Sequence, residues 1–242
     1  MPNFWEATTV DGEDMGLYVS IPKGDGPFPA VIVIQHQGGV DDFIQEMTQR
    51  MPDAGYVGVA PVLYHRDPPD CTDDGPTRRG RVRDDNLIKD VQATMEFLRA
   101  HPAIDSSRVG IIGYCMGGRV CYLMASAIPE LKGAVSYYGG NIMVALGAGP
   151  SPFDRTADIK CPVLGHFGEI DANPSLEDMA KIDGEMTRLG KEHDFHSYPN
   201  ADHGFMNPGG ARYSADGDRA SWPRTLDFFA RTLQRVPAAA DN

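Results

Sequence analysis

The sequence predicts an α/β fold, a mostly parallel central sheet flanked by helices, and three observations predict it. Short apolar, β-branched runs alternate with amphipathic stretches along the chain, the pattern of repeated strand–helix units that build a parallel sheet. The run Ala30-Val31-Ile32-Val33-Ile34 is apolar without alternation, as in a strand buried on both faces. A turn rich in glycine, Gly113-Tyr114-Cys115-Met116-Gly117-Gly118, joins an apolar run to a helical one. At 242 residues the chain reads as a single domain over 1–242. A domain of that size buries roughly 70–75% of the surface its unfolded chain exposes, so it needs no disulfide or metal to hold together.

Taken in order, residues 1–12 read as a loose end and 17–21 as the first strand. Residues 30–35 form the next. Over 41–54, Phe43, Ile44 and Met47 recur at helical spacing, and Gly55 supplies a C-terminal stop. Residues 56–60 form a strand. The segment 61–82, rich in Pro, Asp, Gly and Arg, reads as a long loop at the end of the sheet where active-site loops gather. Leu87, Val91, Met95 and Leu98 lie on one stripe of a helix over 86–100. Strand 108–114, helix 117–128 and strand 132–138 follow. A Gly/Pro-rich loop covers 139–158. Strand 161–167, helix 176–189, strand 194–198 and helix 220–233 complete the alternation, and 236–242 reads as a loose tail.

Charge and composition exclude several function classes. The chain carries 22 Lys and Arg against 34 Asp and Glu, a net charge of −12, so nucleic acid is not an expected partner. The one basic cluster, Arg78, Arg79, Arg81 and Arg83, is followed at once by Asp84 and Asp85. It reads as a solvated patch or as a local anchor for an anionic substrate. No apolar run approaches the ~18 residues of a membrane span, and the N-terminal residues lack a secretory leader's basic start and apolar run. Four cysteines without CxxC or zinc-type spacing predict free thiols in the cytoplasm and no metal. No GxGxxG follows the first strand, so no cofactor is expected. A monomer or small homo-oligomer is expected.

The chemistry concentrates at Cys115. A nucleophile flanked at two residues on either side by glycine, between a strand and a helix, is the nucleophile-elbow pattern, with Cys where Ser is usual. Strand and helix backbones approach closely there, and a Cβ at 113 or 117 would clash. The helix N-terminus favours a thiolate. A nucleophile needs a base and a group that orients it. In this context the chain order is nucleophile, acid, histidine, which selects Asp171, just past the 161–167 strand, and His203, just past the 194–198 strand. Glu169 and Asp202 are the competitors for the acid. The oxyanion donors are expected to be the backbone N–H groups of Met116 and Gln37. His36 has two open roles, a supporting hydrogen-bond donor or a partner of the Cys115 thiol. Tyr64, Arg78, Arg81 and Phe205 join His36 as the expected substrate-binding set.

The segments VIVIQHQGG, GYCMGG, CPVLGHFGEIDANP and YPNADHGF together resemble the dienelactone hydrolase family of the α/β-hydrolase superfamily, over about residues 14–235. The resemblance implies an α/β-hydrolase sheet with little or no cap domain, a Cys115–Asp171–His203 triad, and hydrolysis of a small-molecule ester or lactone of the carboxymethylenebutenolide (dienelactone) type. Two positions depart from the family's pattern. His36 stands where the family has a glutamate that holds the resting thiol. No arginine closely follows His203, where Gly204, Phe205, Met206 and Asn207 stand. The alternatives are a broader carboxylesterase, a thioesterase or an acyltransferase on the same residues, and, in another class, a non-catalytic binding or thiol redox protein. Cys121 lies about 9 Å further along the following helix by helical rise, poorly placed as a resolving thiol.

Overall fold

The structure, a computed structural model, describes residues 3–233. Its strands are β1 (Asn3–Val10), β2 (Glu13–Ser20), β3 (Phe28–Ile34), β4 (Val57–Pro61), β5 (Ile104–Tyr114), β6 (Gly133–Tyr137), β7 (Val163–Gly168) and β8 (His193–Tyr198). They form one eight-stranded sheet in the order β1-β2-β4-β3-β5-β6-β7-β8. Pairing is parallel from β4 through β8 and antiparallel for β1–β2 and β2–β4.

The helices are α1 (Asp42–Arg50), α2 (Gly75–Arg81), α3 (Asp84–Ala100), α4 (Met116–Ala127), α5 (Leu176–Arg188) and α6 (Ala215–Leu233). The alternation along β3 shows how they cover the sheet. Ile32 and Ile34 pack in a core with Leu87, Val91 and Leu98 of α3, Val120 and Leu123 of α4, and Ile182 and Met186 of α5. Val31 and Val33 face a second core with Ile44 and Met47 of α1 and Phe228, Phe229 and Leu233 of α6. Both faces of the strand are dry, which is why its sequence is apolar without a break.

Two expectations are corrected here. The loose end expected over 1–12 is instead β1, which hairpins onto β2 through Asp11 and Gly12, both at positive φ (52° and 86°). That is a tight two-residue turn whose twist suits a hairpin. β1 is mostly exposed, so it shows no apolar face to read. The loop expected over 61–82 contains α2, capped by the Asp74 side chain accepting from the Thr77 N–H at 2.9 Å. No α2 residue is buried, so no stripe marks it. The tail expected at 236–242 lies outside the described residues.

Candidate active site

Parallel pairing brings the carboxyl ends of β3, β5, β7 and β8 to one edge of the sheet, and the loops leaving them carry the polar groups. Cys115 is the hinge between β5 and α4, at φ 57° and ψ −118°. A side chain rarely adopts positive φ, and it persists only where the surroundings over-determine it. They do so here. A Cβ on Gly113 would run into the Gly117 carbonyl, and one on Gly117 into the Ile34 carbonyl. Strand, turn and helix therefore meet at backbone contact.

The Cys115 sulfur faces the His203 imidazole and the Met116 backbone N–H. On its other side, His203 Nδ1 lies 2.9 Å from Asp171 Oδ2. The Asp171 side chain is buried, and its Oδ1 accepts the Asn173 N–H at 2.8 Å. Of the competitors for the acid position, Glu169 accepts from the Ser197 hydroxyl and Asp202 from the His203 backbone N–H. Neither is the carboxylate on the ring. Burial alone would push the Cys115 thiol up. The His203 hydrogen bond and charge, with the Met116 N–H, outweigh it and hold the thiol below its ordinary value. Burial likewise opposes a charged His203. Hydrogen bonds to Asp171 and Cys115 overcome it and raise the imidazole to about 10. Each group of the pair thus favours the charged form of the other.

Behind this centre the loop after β3 is braced from two sides. The Tyr64 hydroxyl donates to the Gln37 carbonyl at 3.1 Å and contacts Met116 Sδ at 3.7 Å. Burial pushes the Tyr64 phenol up to about 12, so it stays protonated and able to donate. Gly75 of α2 lies so close that a Cβ there would meet the Gln37 carbonyl at 2.6 Å. Both residues expected to supply oxyanion donors thus touch one buried hydroxyl.

A cavity of about 690 Å³ opens above Cys115, His203 and Gln37. A second, about 380 Å³, lies against the same three residues and is walled by His36, Phe43 and Tyr138. Measured against these cavities, the expected substrate-binding set is largely displaced. His36 lines the smaller cavity, but its Nε2 pairs with Asp41 Oδ2 at 2.7 Å and not with the thiol. Burial raises the Asp41 carboxyl, and the His36 hydrogen bond leads the contributions that bring it below the ordinary value. Arg78 is held by Asp67 at 2.7 Å with its guanidinium 4.3 Å over the Tyr64 ring. Arg81 pairs with Asp67 and Asp73. Neither arginine lines either cavity; their neighbour Arg79 does. Tyr64 stands behind the wall. Phe205 is fully buried, edge-on to Tyr138 at 5.2 Å, and belongs to the core. Arg212 lines both cavities, and no spacing in the sequence ties it to His203 across the intervening Gly-rich loop.

Among the described residues no group of three or more His, Cys, Asp or Glu could hold a metal, and no helix is long and apolar enough to cross a membrane. All four cysteines are unpaired.

A mostly parallel sheet covered on both faces, with an elbow residue at the carboxyl end of β5, defines an α/β-hydrolase. The dienelactone hydrolase family matches residues 15–233, and the chain belongs to that family. A Synechocystis protein named "Putative carboxymethylenebutenolidase" is 32% identical over 90% of this chain and 92% of its own. The carboxymethylenebutenolidase of Pseudomonas putida is 29% identical over 94% of this chain and 95% of its own. A crystal structure titled "Putative Dienelactone Hydrolase" from Klebsiella pneumoniae is 31% identical and superposes with a TM-score of 0.85, covering 96% of this chain and 100% of that one. The chain is thus a hydrolase acting on esters or lactones.

Proposed function

We propose that the protein hydrolyses dienelactone-type lactones and related esters through Cys115, His203 and Asp171, with a thioester intermediate. One observation carries this reading: the elbow sulfur faces the imidazole of His203, whose Nδ1 lies 2.9 Å from a buried carboxylate. The Cys115 thiolate adds to the carbonyl carbon. Backbone N–H groups of Met116 and Gln37 take the developing oxyanion. Collapse breaks the bond to the ring or ester oxygen, which takes the proton from His203, and leaves the acyl group on sulfur. Water then gives its proton to His203 as it adds to the thioester. The second collapse releases the acid and restores the thiolate and imidazolium.

Thiolate is a good leaving group as well as a good nucleophile. The first intermediate therefore proceeds best when the departing oxygen is enol-like, and an unactivated amide returns to reactants. Arg79 and Arg212 line the larger cavity, Arg212 3.6 Å from Asp202, and are the residues we assign to a substrate carboxylate. The chain acts as one catalytic domain, and its unpaired thiols suit the reducing cytoplasm.

The test is a burst assay with an activated aryl ester and with a dienelactone, followed by mass spectrometry of acid-quenched protein. An acyl mass on the Cys115 peptide, absent from Cys115→Ala, with turnover of both substrates is the expected result. Activity surviving in Cys115→Ala overturns the mechanism.

A further inference from the structure

The larger cavity is bulkier than a small lactone requires. At about 690 Å³ it falls in the range of about 300–1,000 Å³ that takes drug-sized ligands. Its wall includes two large aliphatic side chains that water reaches freely, Val144 at 49% exposure and Ile170 at 62%.

Neither sits on a slack loop. The buried Arg119 guanidinium grips the loop after β6, donating to the Val144 carbonyl at 2.6 Å and the Asn141 carbonyl at 3.1 Å. Arg119 is itself clamped by both oxygens of the buried Asp84, at 2.6 and 2.9 Å. Asp84 also receives the Leu146 N–H at 3.0 Å. On the other loop, the Ile170 N–H is tied to the Ala201 carbonyl at 3.1 Å. The two loops are then stitched together. Asn141 N–H donates to Asn173 Oδ1 at 3.1 Å, and Asn173 Nδ2 to Asn141 Oδ1 at 3.2 Å. A buried ion pair and a paired-amide bridge thus fix an unpartnered apolar rim on the nucleophile's own cavity.

Resting on the ester-hydrolase reading above, we propose that this rim binds an apolar arm of the substrate. The substrate class is then an ester or lactone bearing a bulky aliphatic or aryl substituent, in addition to an anionic group within reach of Arg79 and Arg212. Catalysis of a compact lactone uses little of this wall, whereas an arm laid across Val144 and Ile170 removes apolar surface from water on both partners.

Two series of activated esters test it, one lengthening the acyl chain from acetate to hexanoate and one enlarging the alcohol. Each methylene buried is worth about a fourfold gain in affinity, so kcat/KM is expected to rise roughly 30-fold or more from the smallest to the largest member of one series. Val144→Ser and Ile170→Ser are each expected to cut that large-to-small ratio about fivefold, chiefly through KM. Both side chains are exposed, so the fold does not depend on them, and Val144 is remote in sequence from Asp171. Acylation of Cys115 with a flat or falling ratio in both series, or ratios unmoved in both variants, overturns the apolar-arm proposal alone. Ester turnover surviving in Cys115→Ala overturns the Cys115 mechanism proposed above and this proposal with it.

Discussion

At the scale of single residues, the site is a chain of three side chains in which each sets the proton affinity of the next. Asp171 Oδ2 fixes His203 Nδ1, and the raised imidazole in turn keeps the Cys115 thiol low. Asp171→Asn removes the charge that favours imidazolium. His203 then loses its proton at lower pH, and the thiolate, deprived of its cation, forms only at higher pH. The iodoacetamide inactivation profile of that variant is expected to move upward by at least one pH unit, with kcat/KM down about 10²–10⁴-fold; an unmoved profile would remove Asp171 from the chain. Tyr64 acts one layer further back, through the Gln37 carbonyl and the Met116 sulfur. Tyr64→Phe keeps the ring under Arg78 and deletes only the hydroxyl. It should lower kcat about tenfold, less than the 10²–10³ of losing an oxyanion donor outright, with KM nearly constant. A rise in KM at constant kcat would assign Tyr64 to ground-state binding instead.

At the scale of elements, what could be read from the sequence follows what each element buries. β3 and α3 were legible because their faces are dry, so apolar spacing recorded them. β1 and α2 were not, because a mostly exposed strand and a helix with no buried residue leave no periodic trace. Only their turn and cap chemistry, Asp11-Gly12 and Asp74-Gly75-Pro76-Thr77, marked them. The site divides the same way. Cys115, Asp171 and His203 were legible because each lies just past the carboxyl end of a strand, which chain order locates. The cavity wall was not, because which arginine of α2 faces inward depends on how the helix is rotated. Arg79 faces the cavity while Arg78 and Arg81 are turned to Asp67. The loop after β6 is held by a buried pair, Arg119 with Asp84, beside the Asn141–Asn173 bridge. Arg119→Met leaves that carboxylate buried without its cation, and chemical denaturation should show a loss of about 3–5 kcal/mol. The double variant Arg119→Met/Asp84→Leu should recover a substantial part of it. A single-variant loss below about 1 kcal/mol would mean the pair is not what holds the loop.

At the scale of the whole molecule, stability is coupled to pH through a histidine that takes no part in the proposed chemistry. His166 is fully buried in β7, with Nδ1 2.7 Å from the Tyr198 hydroxyl and Nε2 3.0 Å from the Thr225 hydroxyl. Through Thr225, which also meets the Tyr137 hydroxyl at 2.8 Å, it links β6, β7, β8 and α6. Burial above all, then the electrostatic influence of His196 and Arg224, hold its imidazole well below 6.5. The native state therefore keeps His166 neutral while the unfolded chain takes up a proton near pH 6.5. Below that pH the unfolded state binds more protons, so stability falls as pH falls, by up to about 1.4 kcal/mol per unit from this one group. His203 has the opposite sign: its raised value favours the protonated native form, and its contribution fades only as pH rises toward about 10. The two histidines thus pull the stability profile in opposite directions, and acid sensitivity between pH 6.5 and 5 is assigned to His166. Urea denaturation at pH 7 and pH 5.5 checks this. His166→Gln, which retains an amide for the two hydroxyls but no titrating ring, should be less stable than the parent at pH 7 and lose distinctly less on acidification. Equal losses in both proteins would place the acid sensitivity in another group.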